Sequence, residues 1–292
     1  MSQLRRLHSL PVLLLTLFVL GAPALGQANL RRMVTFGDSL THNTILWIYY
    51  GTWRDLYGDD PMEAVWMQGA VGGDTLTSYA IAGSESDDVL LQIDTYMFFE
   101  WLGFEPRPSL VGFEIGGNDI MNNIDLLKRY APGVDARADR VINDLANNIH
   151  DGMRELWQEY KCQFILWNVP DVTVTPDLYT YLNPVERTNV RAHIARVNML
   201  LAANANQAPI ALIDVYTILE EFVTDPPVIY GQTLIGPPAK GDYDHVFADE
   251  IHPTKVSNLI LANEIIEVVN LRFRDDIPLY TEDELAAAAK FN

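Results

Sequence analysis

Residues 33–40 read Met33-Val34-Thr35-Phe36-Gly37-Asp38-Ser39-Leu40. A short apolar run breaks off at Gly-Asp-Ser. Such a run suits a buried strand, and Gly-Asp is turn chemistry. The Ser39 hydroxyl is therefore expected at the carboxyl end of a strand, where open α/β sheets hold their ligands. Taken alone, the tripeptide reads as an ordinary strand-ending turn, because Gly, Asp and Ser all favour turns for backbone reasons. The rest of the chain decides otherwise.

Outward from this stretch, short apolar runs alternate with helical patterns. Ala64–Gln68, Ser109–Ile115, Gln163–Val169 and Pro209–Val215 are the other expected strands. Ile142, Leu145, Ile149, Met153, Leu156 and Tyr160 recur at steps of three and four, the apolar stripe of a helix, with Asp135 placed to cap it. Asn183-Pro184-Val185-Glu186 starts a second helix with a cap residue, Pro at the first helical position and Glu at the third. A third is expected from about Thr254 to Asn270. This alternation predicts an α/β fold, a parallel sheet with helices on both faces. Two stretches break the pattern. Ser78–Pro108 is rich in aromatics, contains a helix around Val89–Trp101, and its rings are expected in the core. Thr224–Phe247 holds four prolines and three glycines around Tyr230 and Tyr243, and long loops of this kind are often functional. The tail after Asn270 reads as a surface appendage.

The chemistry sits where strands end. Gly37-Asp38-Ser39 follows the first strand, Gly69-Ala70-Val71-Gly72-Gly73-Asp74 the second, and Gly116-Gly117-Asn118-Asp119 the third. Asp249-Glu250-Ile251-His252-Pro253 follows the fifth strand and the long loop. In a parallel sheet these ends share one edge. A serine hydroxyl needs a base to become a nucleophile. His252 can take that proton and return it to a leaving group. Asp249, three residues back, can hold the imidazole in the required tautomer. Backbone N–H groups of Ser39 and Gly73, with the Asn118 amide, can meet a developing oxyanion. Each block has a plain alternative as a turn, a tight crossover or a loop hydrogen bond. Asp242-Tyr243-Asp244-His245 repeats the Asp-to-His spacing seven residues earlier. His252 is preferred because Pro253 and a helical pattern follow it. His42 is a further rival, with no carboxylate at a comparable spacing. His150 and His193 lie inside helical patterns. Cys162 borders an apolar run and reads as inert packing.

With these four blocks in order, the sequence resembles the GDSL or SGNH hydrolases over roughly residues 33–270. The resemblance implies a three-layer α/β/α sandwich with a five-stranded parallel sheet of flavodoxin-like character. It implies Ser39, His252 and Asp249 as nucleophile, base and orienter, and Ser39, Gly73 and Asn118 as the oxyanion hole. Gln68 stands where the family often has Asn. The Gly-x-Ser-x-Gly elbow of the larger α/β-hydrolase family is absent around Ser39. The expected activity is cleavage of carboxylic esters, short-chain acyl or O-acetyl, through an acyl-enzyme. The alternatives are acyl transfer at the same site and an inactive glycan-binding module.

Composition bounds the rest. At 292 residues, 49% hydrophobic and 20% charged, the chain can bury a substantial core. A net charge of −19 disfavours nucleic acid and anionic membrane surfaces as partners. Residues 1–26 carry Arg5 and Arg6, an apolar run from Leu10 to Leu20 and the small residues Ala24-Leu25-Gly26. They read as a signal peptide cleaved near Gly26, and 27–292 as one hydrolase domain, secreted or periplasmic. The run is too short to span a bilayer comfortably, so stable membrane insertion is not expected. One cysteine permits no internal disulfide. No HExxH, Cys/His cluster or phosphate loop appears, so no metal or organic cofactor is expected. The expected partner is a small-molecule or glycan ester substrate. The sequence carries no signal for oligomeric state.

Overall fold

The structure is a computed structural model and describes residues 32–41, 75–205 and 209–291. In chain order the described elements begin with β1 (Arg32–Gly37), β2 (Thr75–Ser78), α1 (Asp88–Trp101) and β3 (Leu110–Glu114). Next come α2 (Gly117–Asn122), α3 (Ile124–Leu127), α4 (Ala136–Tyr160) and β4 (Gln163–Trp167). A single 3₁₀ turn (Val172–Val174) leads to α5 (Pro176–Tyr181), α6 (Pro184–Ala205) and β5 (Ile210–Ile213). The chain ends with α7 (Val215–Thr224), the strand pair β6 (Val228–Ile229) and β7 (Gln232–Thr233), α8 (Lys255–Phe273) and α9 (Glu282–Ala288).

Strands β1 to β5 form one parallel sheet in the order 2-1-3-4-5. This is the flavodoxin-like order, and its direction reverses between β1 and β3, so ligands are expected at that crevice. Alternation of side chains along each strand divides the core. Val34, Phe36, Val111, Phe113, Phe164 and Leu166 face a layer built from α1, α4 and α6. Met33, Leu110, Ile165, Trp167, Ala211 and Ile213 face the other, built from α7, α8 and α9. Helices cover both faces, as the strand-helix alternation predicts.

The helix starts follow the cap chemistry. The Asp135 carboxylate accepts the Arg137 N–H ahead of α4. Asn183 accepts from Val185 and Glu186, and Glu186 accepts the Asn183 N–H in return. Thr254 accepts from Ser257 at the head of α8. Such caps are each worth about 1 kcal/mol.

Three expectations need revision. The strand beside β1 is Thr75–Ser78, after the glycine block rather than before it, and Ala64–Gln68 lies outside the described residues. Thr75-Leu76-Thr77-Ser78 holds three hydroxyl residues and one leucine, so it offers no apolar run to read. The aromatic stretch before β3 is only partly core: Tyr96 is buried, whereas Phe98, Trp101 and Phe104 are exposed. The tail is packed, not appended. The Asn270 and Asn263 amides donate to the carbonyls of Ile277 and Tyr280, and Ile277, Ala286, Ala288 and Ala289 are buried.

Candidate active site

The turn after β1 is shaped by glycine. Gly37 has φ +156°, and a Cβ there would lie 2.0 Å from the Glu114 carbonyl oxygen. No other residue fits. Gln92 of α1 then grips Gly37 on both sides, accepting its N–H at 2.9 Å and donating to its carbonyl at 2.9 Å. The same amide donates to the Ser84 hydroxyl. Asp38 closes the turn, its Oδ1 accepting the Leu40 N–H at 3.0 Å. Ser39 is thus carried on a braced turn, half-buried, at the carboxyl end of β1.

The imidazole arrives from the opposite end of the chain. The strand-like bridge between Phe247 and Pro253 and the Ala248 N–H on the His252 carbonyl close a short loop ahead of α8. Asp249 sits inside it. Its Oδ1 accepts the backbone N–H groups of Ile251 and His252 at 2.8 and 2.7 Å. His252 Nδ1 lies 2.9 Å from Asp249 Oδ2 and 3.1 Å from Oδ1. His252 Nε2 lies 2.9 Å from Ser39 Oγ. A carboxylate on Nδ1 assigns the ring proton to that nitrogen and leaves the Nε2 lone pair facing the serine hydroxyl. Burial pushes the Asp249 carboxyl up, but the ring and the two N–H groups outweigh it and hold it at about 2.

Asn118 stands at the head of α2, just past β3. Its position depends on Gly116, whose φ is +119° and where a Cβ would meet Val169 at 2.9 Å and Leu145 at 3.0 Å. Its amide donates to Asp38 Oδ2 at 3.1 Å and to the Ser84 carbonyl at 2.9 Å. Asn118 is therefore tied to the residue preceding Ser39. The next residue, Asp119, accepts both the N–H and the hydroxyl of Ser86, at 2.9 and 2.6 Å. Burial lifts its carboxyl to about 6 against those two hydrogen bonds. The pair Asn118-Asp119 thus clamps the segment 84–86 against the site.

The structure brings together Ser39, His252, Asp249 and, through Asp38, Asn118. Gly73 lies outside the described residues, as does His42. The rival His245 does not reach Ser39. Its ring packs on Gly241, its Nδ1 lies 2.7 Å from Asp244, and its carbonyl accepts the Thr254 hydroxyl. His193 is fully buried on the Tyr130 carbonyl, and burial lowers its pKa despite that contact. His150 is a surface residue beside Asp151. Burial pushes the Cys162 thiol up to about 12, which leaves it inert. Asp38, Gln92, Ser84 and Glu114 were not singled out from the sequence. A charged residue inside the buried run Leu110–Ile115 was the available signal for Glu114. Among the described residues no group of three or more His, Cys, Asp or Glu is placed to hold a metal ion, and no helix is long and apolar enough to cross a membrane.

The 2-1-3-4-5 sheet, covered on both faces and carrying these groups on its carboxyl rim, defines the three-layer α/β/α class of SGNH hydrolases. The family of GDSL-like lipases and acylhydrolases matches residues 33–265. The chain belongs to that family and is an ester-bond hydrolase. Among solved structures it is similar to a single-residue variant of Axe2, an acetyl-xylooligosaccharide esterase from Geobacillus stearothermophilus. The two share 16% identity at a TM-score of 0.53, over 85% of this chain and 96% of that one. A second variant of Axe2, named as an acetyl xylan esterase, gives 18%, 0.51, 85% and 97%. A lipolytic G-D-S-L family protein from Veillonella parvula gives 19%, 0.49, 81% and 96%. A search of curated proteins by sequence found no match.

Proposed function

We propose that the chain is an exported serine esterase acting on short-chain acyl or O-acetyl esters. The carrying observation is the continuous relay from Asp249 through His252 to Ser39, with 2.9 Å at each step. Ser39 Oγ bonds to the ester carbonyl carbon while its proton passes to His252 Nε2. The carbonyl oxygen becomes the oxyanion, met by the Ser39 N–H and by the Asn118 amide. Asn118 turns its Ser84 hydrogen bond toward that oxygen, because its bond to the Asp38 carboxylate is charge-assisted and the harder to give up. The tetrahedral intermediate collapses, the C–O bond to the alcohol breaks, and the alcohol leaves with the proton from His252. Water then attacks the acyl-enzyme, gives a proton to His252, and releases the acid and free Ser39. Asp249 stays ionised throughout and steadies the imidazolium.

A fluorophosphonate probe should label the enzyme at Ser39, and Ser39→Ala and His252→Ala should each nearly abolish hydrolysis of p-nitrophenyl acetate. His245→Ala should leave it intact. The reverse result for the two histidines would sink the assignment. Acetate release from acetylated glycans, run beside nitrophenyl esters of increasing acyl length, identifies the substrate. A new ester formed on an added glycan acceptor would mark a transferase instead.

A further inference from the structure

Two carboxyl groups meet behind the Ser39 turn. Asp38 and Glu114 are each 3% exposed. β1 and β3 run side by side with Gly37 opposite Glu114, which sets the Glu114 carboxyl near that of Asp38, where it draws the Asp38 pKa down. A hydrogen bond between two carboxyls requires a proton, since ionised carboxylates have no donor. Two bare charges in contact away from water would also repel, and such a pair keeps one proton.

The neighbours decide where that proton rests. Asp38 accepts an N–H on each oxygen, from Leu40 at 3.0 Å and from Asn118 at 3.1 Å. The His252 ring also lies close enough to favour its charge. Glu114 faces the Thr41 hydroxyl, 3.0 Å from its Oε2. N–H groups are obligate donors and demand an acceptor, whereas a hydroxyl suits either form of a carboxyl. Negative charge is therefore best served on Asp38. Asp119, the other nearby acid, is turned away onto Ser86. Burial raises the Asp38 carboxyl, and the Leu40 N–H, Glu114 and His252 offset that rise only in part, so the anion on Asp38 depends on those contacts.

We propose that Glu114 is a positioning residue that works in its protonated form, donating to Asp38 so that Asp38 remains the anion that holds the Asn118 amide beside Ser39. Its effect on turnover rests on the esterase reading above. The location of the proton does not.

Glu114→Gln copies a protonated carboxyl, with an N–H for Asp38 and a carbonyl for Thr41. Its kcat on p-nitrophenyl acetate should stay within about threefold of the unaltered enzyme, whereas Glu114→Ala, which strips a buried anion of its donor, should lose about tenfold or more. The second readout is infrared. The spectrum of the unaltered enzyme minus that of Glu114→Gln, at neutral pH, should contain the C=O stretch of a protonated carboxyl, shifted in heavy water. An ionised-carboxylate band in its place overturns the proposal. So does a folded Glu114→Gln enzyme that has lost tenfold or more of its turnover. Should Glu114→Ala fail to fold, the Gln variant and the band still decide. Full activity in Ser39→Ala would remove the esterase reading and leave the infrared result standing.

Discussion

Asp249→Asn is the sharpest perturbation of the site, because the backbone dictates how the new side chain must sit. Asp249 Oδ1 takes N–H groups from Ile251 and His252 at 2.8 and 2.7 Å. An Asn must keep its carbonyl there, since an NH₂ turned onto two N–H donors would set donor against donor. The NH₂ therefore falls in the Oδ2 place, 2.9 Å from His252 Nδ1. There it can only donate. Nδ1 becomes an acceptor, the ring proton moves to Nε2, and an N–H replaces the lone pair facing Ser39 at 2.9 Å. The base is lost with the shape unchanged. A mis-set tautomer of this kind costs about 10⁴-fold in turnover where such triads have been dissected. Here the ring retains a 3.1 Å approach to Oδ1, so a loss of about 10³-fold, ~4 kcal/mol, is expected. The assay is kcat on p-nitrophenyl acetate, with urea unfolding to show that the fold survives. A folded Asp249→Asn enzyme within tenfold of the unaltered one would refute the orienting role. Because Asp249 sits at about 2, no loss of activity above about pH 3 should trace to it.

The other predictions concern the supports of the site. Asn118→Ala should lower kcat about 10²–10³-fold, the usual effect of removing one oxyanion donor, and turnover equal to the unaltered enzyme would refute that role. Gly37→Ala places a methyl group 2.0 Å from a backbone carbonyl, so the urea midpoint should drop by the equivalent of about 2–4 kcal/mol. Asp119 has its carboxyl raised to about 6 from 3.8. Its contribution to stability is thus whole below the unfolded value and lost as pH rises through the folded one. Between those limits the unaltered protein should lose about 2–3 kcal/mol of unfolding free energy relative to Asp119→Asn; parallel pH curves for the two proteins would contradict this.

Most of the fold was legible because buried elements write their burial into sequence. Strands β1, β3, β4 and β5 are covered on both faces, so they read as unbroken apolar runs. Helix α4 has one face in the core, so Ile142, Leu145, Ile149, Met153 and Leu156 repeat at its turn spacing. β2 offered no such run: Thr75-Leu76-Thr77-Ser78 sets a single leucine among hydroxyl residues, and the apolar run that was read as its place, Ala64–Gln68, lies outside the described residues. The tail was misjudged because much of what holds it, two asparagine amides and small alanines beside Ile277, has no period, and the Thr281–Glu284 capping box that opens α9 was not read.

The sequence alone determined β1, β3, β4 and β5, the covering helices and most of the residue types that meet on the rim, since local periodicity and turn chemistry are properties of neighbours along the chain. It preferred His252 over His245, which shares the same spacing to an aspartate, only on the strength of Pro253 and the helix that follows; which ring lies beside Ser39 is a matter of packing. It could not reveal that Asp38 and Glu114 are partners. Those are facts about segments 76 to 213 residues apart, and only the packing of β1 against β3 and of the loop before α8 against both brings such groups within hydrogen-bond reach. Hydrogen bonds act over about 3 Å, so chemistry of this kind is settled by the tertiary fold.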